Sequence, residues 1–418
     1  MQNNLMPEIR FGGFAQDWEQ RKLSDISIRV RGNDGRMDLP TLTISASVGW
    51  LDQRDRFSGN IAGKEQKNYT LLSKGHLSYN HGNSKLAKYG VVFELTTYEE
   101  ALVPRIYHSF KTTIEASATF IEYMFATKIP DRELAKLVSS GARMDGLLNI
   151  NYDEFMGIDI NIPKIKEQNQ IGDFLKNLDD IIALQEQELI TLQQTKQGFL
   201  QKMFPKEEES VPEIRFPGFT EDWAKRKLGN TDTFFTDGNY GEAYPSEKDK
   251  SDSSNGVPFL RGSDLKNGFL DVSNSNYITK EKHRELTSGH LEFDDIVIAV
   301  RGSVGVLGYV KKENFGWNIN SQLGIIRTDK KELLGGFLSQ YLLGNIGQKE
   351  LLSRTTGTAL KQLPIKQLKD VPIPIPSINE QAKIGNFFKH LDDTIALHRQ
   401  ELDVLQETKK AFLQKMFV

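Results

Sequence analysis

IPKIKEQNQIGDFLKNLDDIIALQEQELITLQQTKQGFLQKMFP, Ile162 to Pro205, returns as IPSINEQAKIGNFFKHLDDTIALHRQELDVLQETKKAFLQKMFV, Ile375 to Val418, with 28 of 44 positions identical and no gap. A second pair accompanies it: PEIRFGGFAQDWEQRKL (Pro7 to Leu23) and PEIRFPGFTEDWAKRKL (Pro212 to Leu228) agree at 12 of 17 positions. The chain is therefore a tandem duplication, each unit made of an opening motif, a long variable body and a closing helix. The expected boundaries are a first domain over 1–161 with its motif at 7–23, a central helix over 162–205, a second domain over 206–374 with its motif at 212–228, and a distal helix over 375–418. Such a chain performs one task twice.

In the central helix Ile171, Phe174, Leu178, Ile182, Leu189, Leu192, Phe199 and Met203 recur at intervals of three, four or seven, and all their counterparts from Ile384 to Met416 are apolar. This approximates a heptad stripe. A helix of about 38 residues is about 57 Å long, and with one apolar stripe bare to water it would be poorly stable. The cheapest partner is the other copy. An antiparallel pairing sets the two bodies at opposite ends about a pseudo-twofold axis, whereas a parallel pairing sets them side by side. In the antiparallel case the pair acts as a ruler, because about 57 Å matches roughly 17 base pairs of B-form DNA.

Composition bounds the function. The 418 residues are 38% hydrophobic and 26% charged, ordinary for globular domains. No apolar run approaches the roughly 18 to 20 residues that span a bilayer, and the start lacks a signal-like pattern; no membrane association is expected. The absence of cysteine excludes disulfides, thiolate metal sites and thiol nucleophiles and points to the cytoplasm. A formal charge of −3 announces no nucleic acid globally, so DNA binding has to rest on local clusters.

The first body reads as strands at 39–45, 76–80, 89–96 and 102–110, with helices at 118–128 and 131–140. The second body follows the same order, with 257–272, 293–305 and 335–343 in the corresponding places. The fold class is α+β: two mixed α/β domains separated by two long helices. The opening motifs, with Trp18 and Trp223 in matching positions, read as docking segments. Pro205 to Pro212 reads as a linker.

The polar clusters of the bodies sit at predicted strand ends. Asn80, His81, Asn83, Ser84 and Lys85 in the first body align with Arg301 and Ser303 in the second, and Asn320 and Gln322 follow. Asn and Gln suit adenine edges, Arg and Lys guanine edges, and hydroxyls or backbone N–H groups phosphates. Arg143 faces Thr356, Thr358 and Lys361, a hydroxyl-rich turn with a cation that could cradle a phosphate or cap a helix. Ser45, Arg261 and Ser263 complete the candidate DNA-binding set. The same loops also fit ordinary glycine-polar turns.

Catalytic motifs fail one by one. GSVGVLG (Gly302 to Gly308) lacks dinucleotide-site spacing, and SGNIAGKEQ (Ser58 to Gln66) lacks the phosphate-loop pattern. Asp179–Asp180 and Asp392–Asp393 recur, but helix neighbours diverge by about 100° and do not converge on one metal; they read as a solvated or partner-facing side. No catalytic or metal residue is expected.

These motifs together resemble the specificity subunit of type I restriction-modification systems across essentially the whole chain: P-E-I-R-F-x-G-F-x-x-x-W near Pro7 and Pro212, I-P-x-I-x-E-Q with I-G-x-F and L-D-D near Ile162 and Ile375, and F-L-Q-K-M-F at Phe199 and Phe412. The resemblance implies two target-recognition domains, each reading one half of a split asymmetric DNA target, and an antiparallel coiled coil that sets the gap and docks methyltransferase subunits. It further implies two modification subunits bringing S-adenosylmethionine and two restriction subunits bringing ATP and Mg2+, with no cofactor and no catalysis in this chain. The competing readings are a pure protein scaffold and, more distantly, a self-sufficient nuclease.

Overall fold

The computed structural model describes residues 5–57, 63–82, 84–138, 147–266, 268–357 and 360–418. Its contacts divide the chain into one unit of Met1–Glu186 with Gln400–Val418 and another of Gln187–Arg399.

In the first unit the strands are β1 (Glu19–Lys22), β2 (Ser27–Arg29), β3 (Leu42–Ser45), β4 (Gly49–Asp52), β5 (Thr70–Ser73), β6 (Leu77–Asn80), β7 (Val91–Glu94), β8 (Glu100–Val103), β9 (His108–Thr112) and β10 (Asp159–Ile162). Helices α1 (Gln53–Phe57), α2 (Ala118–Ala126), α3 (Asp131–Leu137) and α4 (Tyr152–Met156) intervene, and α5 (Ile165–Lys202) begins here. The main sheet runs β2-β9-β6-β7, antiparallel throughout. β1 pairs with β10, which ties the opening motif to the residues that lead into α5.

The second unit contains β11 (Ala224–Lys227), β12 (Phe234–Asp237), β13 (Lys250–Ser251), β14 (Val257–Leu260), β15 (Leu265–Lys266), β16 (Phe269–Leu270), β17 (Asn276–Ile278), β18 (Ile296–Ala299), β19 (Leu307–Tyr309), β20 (Asn318–Ile319), β21 (Leu323–Arg327) and β22 (Pro372–Ile375). Its helices are α6 (Lys280–Glu285), α7 (Gly335–Leu343), α8 (Asn345–Ser353), α9 (Ile365–Lys369) and α10 (Ile378–Lys415). The sheet β12-β21-β18-β19 repeats the order of the first unit, and β11–β22 repeats β1–β10. Duplicated sequence has kept duplicated topology even where the bodies diverge.

One run read as a single strand is broken, and the corresponding stretches of the second body are subdivided. The stretch 102–110 splits into β8 and β9, because Pro104 cannot donate to a ladder and its carbonyl instead accepts the Tyr107 N–H at 3.0 Å in a turn. The stretch 293–305 yields only β18 before Gly302 and Gly305 turn at φ 76° and 88°. The stretch 257–272 becomes β14, β15 and β16.

The two long helices are each 38 residues. Within the first unit the start of α5 packs on the end of α10: the Phe174 and Phe412 rings meet edge to face at 4.9 Å, and Gln185 donates to Glu401 at 2.9 Å. Within the second unit the end of α5 packs on the start of α10, with Phe199 on Phe387 at 4.9 Å and Lys196 on Asp392 at 2.6 Å. Numbers rise along one helix as they fall along the other, so both pairings are antiparallel.

Each helix also enters the core of a body. Ile171 and Leu175 join Trp18, Phe120, Phe155 and Phe417 in one apolar cluster, and Ile384 and Phe388 join Phe204, Trp223 and Phe337 in its counterpart. The glycines of the repeated I-G-x-F motif explain the close approach. A Cβ on Gly172 would stand 3.4 Å from the Phe120 N, at the edge of ordinary contact, and one on Gly385 3.3 Å from the Phe337 N, where the backbone would have to give slightly, so the glycines let the starts of α2 and α7 lie close against the long helices.

Candidate nucleic-acid interface

The opening motif is locked in place before any binding surface is built. Arg10 makes a two-pronged bond to Glu167 at 2.6 and 2.8 Å, and Arg215 repeats it on Glu380 at 2.7 and 2.8 Å. Both carboxylates are buried, and such forked, charge-assisted pairs are directional as well as strong. The next residue is locked too. Gln168 donates to the Pro163 and Glu115 carbonyls and accepts from the Ser117 N–H, while Gln381 donates to the Pro376 and Glu332 carbonyls and accepts from the Leu334 N–H. The E-Q of the repeated motif thus splices motif, body and helix.

One of the paired aspartates departs from the expected solvated or partner-facing role. Asp392 is buried and accepts from Lys196 and, at 3.0 Å, from Gln340 on α7. Its copy Asp179 accepts from Tyr123 at 2.6 Å and from Lys409. Asp180 pairs with Lys176 and Asp393 with Lys389 on a solvated side, and Asp179, with a side chain 39% exposed, stays partly solvated as well. The first member of each pair meets a lysine across the helix–helix seam, and of the four aspartates only Asp392 is buried.

In the second unit, four segments converge at one end of the sheet β12-β21-β18-β19. Arg301 follows β18 and its N–H donates to the Gln322 carbonyl at 3.2 Å; Asn320 caps the same turn, accepting from the Gln322 N–H at 3.0 Å. Thr356 and Gln362 exchange backbone hydrogen bonds at 2.8 and 2.9 Å, Gly357 beside Thr356 lies at φ 88°, and Gln362 also bridges to Arg301. Ser303, Gln322, Thr356 and Lys361 are exposed there, whereas Asn320 is buried. Arg261 and Ser263 belong to a neighbouring turn after β14, where both hold Asp264 and Arg261 also donates to the Asn274 carbonyl at 2.6 Å.

Tyr240 completes the cluster. Its hydroxyl accepts from Arg301 at 3.1 Å and donates to Asp237 at 2.9 Å, and the guanidinium lies 5.1 Å from its ring centroid. Burial and the Asp237 carboxylate push the Tyr240 hydroxyl above its ordinary pKa. Sequence reading missed both Tyr240 and Gln362. A lone aromatic between glycines, in Gly238-Asn239-Tyr240-Gly241, was the available signal.

In the first unit Asn80 ends β6, donates to the Ile44 carbonyl at 3.3 Å and accepts from the Gly82 N–H at 3.1 Å, which sets it beside Ser45 of β3. Ser45 shares a 3.1 Å hydrogen bond with Ser47. His81 is buried, edge-on to His108 with centroids 4.8 Å apart. Ser84 accepts from the Ala87 N–H at 3.1 Å, and Lys85 is exposed. Asn83, Arg143 and Thr358 lie outside the described residues.

A second kind of surface occurs on the helices. Leu184 in the first unit and its copy Leu397 in the second are 61% and 54% exposed and lie off the heptad stripe, which is itself largely half-buried. Among the described residues no group of three or more acidic, histidine or cysteine side chains converges as metal ligands. No described helix is long and apolar enough to cross a membrane.

The family described as the type I restriction modification DNA specificity domain matches residues 103–194 and 220–407. A Methanocaldococcus jannaschii protein provisionally named the MjaX specificity subunit of a type I restriction enzyme is 25% identical over 97% of this chain and 94% of its own length. The S subunit of a type I restriction-modification system from M. genitalium has a similar fold, with a TM-score of 0.62 at 15% identity over 99% of each chain. A chain from a structural study of complex assembly and conformational transition in the type I R-M system gives a TM-score of 0.51 at 15% identity, over 96% of this chain and 97% of that one.

Proposed function

Because the chain belongs to the family of type I restriction-modification DNA specificity domains, we propose that it is the non-catalytic sequence-recognition subunit of such a complex. The observation that carries the reading is the family match over 103–194 and 220–407 in a chain whose two units repeat one sheet order. The modules are the domains 1–161 and 206–374, each reading one half of a split, asymmetric double-stranded DNA target. The candidate contacts are the polar clusters around Asn80 and Arg301.

The helices of 162–205 and 375–418 set the unread gap and dock two modification subunits, and two restriction subunits complete the assembly. Exposed apolar side chains that recur along each long helix, Ile181 with Leu184 and Leu397 with Val404, support docking, since a run of bare apolar surface is what a partner covers. S-adenosylmethionine, ATP and Mg2+ belong to those partners, and the whole works in the cytoplasm.

The test is a domain exchange. Replacing residues 23–160 with those of another family member and sequencing the methylome should change one half of the methylated target and leave the other. A change in both halves, or in neither, would overturn the modular reading.

A further inference from the structure

We infer that Arg301 reads a guanine in the half-target of the second domain and that Tyr240 is the residue that aims it. The inference rests on the DNA-recognition reading above. Both hydrogens of Arg301 Nη1 are committed, one to the Tyr240 hydroxyl at 3.1 Å and one to the Ser321 carbonyl at 3.0 Å. The ring of Tyr240 lies under the guanidinium, and Asp237 holds the hydroxyl in turn. An arginine side chain ordinarily carries much rotamer freedom, and here that freedom is already removed.

The remaining edge of the guanidinium, Nη2 and Nε, has no protein partner among the described residues, and no carboxylate forms an ion pair with it. A rigid edge with two parallel donors matches the O6 and N7 acceptors of guanine in the major groove. The surroundings also fit a base edge. Exposed Gln322 and Gln362 flank Arg301 through the turn and the bridge, while Lys361, beside Gln362, is an exposed cation suited to the phosphate backbone. Other surface arginines are differently placed: Arg226 and Arg327 have carboxylate partners, and Arg354 is held by Glu350.

The experiment uses the full chain assembled with its modification subunits, bound to an oligonucleotide library randomised across both half-targets at two salt concentrations. Arg301→Lys keeps the charge and loses the fork. It should relax preference for guanine at one position of one half-target by roughly ten- to a hundredfold, with the other half and the salt dependence unchanged. Tyr240→Phe keeps the ring and removes the hydroxyl, and it should relax the same position to a smaller degree, a readout that a merely structural tyrosine would not move. Uniform weakening at every sequence, with a shallower salt slope for Arg301→Ala, would reassign Arg301 to a phosphate and overturn the inference. Unchanged preference in Arg301→Lys would also overturn it. Absence of any sequence preference in the unaltered complex would instead sink the recognition reading itself.

Discussion

Lys196 of the central helix donates to Asp392 of the distal helix at 2.6 Å, with side chains only 9% and 12% exposed. Their sequence copies, Lys409 and Asp179, pair in the other unit. A lysine from each repeat thus meets the aspartate of the other, as an antiparallel pairing of duplicated helices requires. Removing one partner of a buried pair leaves an uncompensated charge, which costs about 3–5 kcal/mol. Asp392→Ala should therefore lower unfolding stability by that order and also strand the Gln340 amide. Replacing both members, Lys196→Met with Asp392→Leu, should cost much less. Chemical denaturation of the three proteins decides it, and equal losses for single and double variants would contradict this account.

Arg215 and Glu380 carry the anchoring of the second opening motif. Glu380→Ala deletes both prongs and leaves Arg215 part-buried, for a loss of about 3 kcal/mol by the usual cost of charged hydrogen bonds. Limited proteolysis should then cut within 206–222 several times faster than in the parent chain. Unaltered cleavage would show that Trp223 and its apolar neighbours hold the motif alone.

Glu122 gives a pH dependence of known sign. Burial, with Glu94 and Asp179 adding to it, raises its carboxyl from 4.5 to about 7, against hydrogen bonding from the Glu94 N–H. A raised carboxyl favours the protonated folded state, so its contribution is most favourable below the unfolded value near 4.5 and is lost as pH rises through about 7. Glu122→Gln should accordingly stabilise the chain at pH 8, by on the order of 2 kcal/mol, and make no difference at pH 4. Thermal melts across that range would show a pH-independent difference if burial were not the cause.

Leu184 and Leu397 test the docking face. Leu184→Glu with Leu397→Glu removes apolar surface that the fold itself leaves bare, so the melting temperature should stay within about 2 °C. Binding of modification subunits, followed by sedimentation, should fall at least tenfold. Full binding by a folded variant would move the docking face elsewhere.

Helix length tests the ruler. Seven residues inserted at matching places in α5 and α10 add about 10 Å, close to three base pairs, while keeping the stripe in phase. The gap between methylated half-targets should lengthen by about that amount. An unchanged gap in an active complex would sink the idea.

Much of the site was not readable in advance for a reason visible in Arg301. The side chain was picked out from its strand-end position, yet its bonding depends on Tyr240 and Ser321, which are 61 and 20 residues away. Asn80 and His81 are legible as polar groups, but only the fold shows that the Asn80 amide donates to the Ile44 carbonyl and that His81 is buried against His108, leaving Ser84 and Lys85 as the exposed members of that cluster. Residue type restricts what a group can bond, but the turn that presents it decides whether that capacity faces solvent.

The sequence by itself determined the duplication, the length of the two helices and the stripe that each must bury, because periodicity and identity are local properties that survive without coordinates. It also carried the family, through motifs whose order and spacing agree. Only the tertiary structure decided that Glu167 and Glu380 clasp the opening motifs, that Asp392 turns inward while its copy Asp179 stays partly exposed, and that Tyr240, Arg301, Gln322 and Gln362 meet at one sheet end. Those contacts join residues distant along the chain, and their geometry follows from how strands register and glycine turns close.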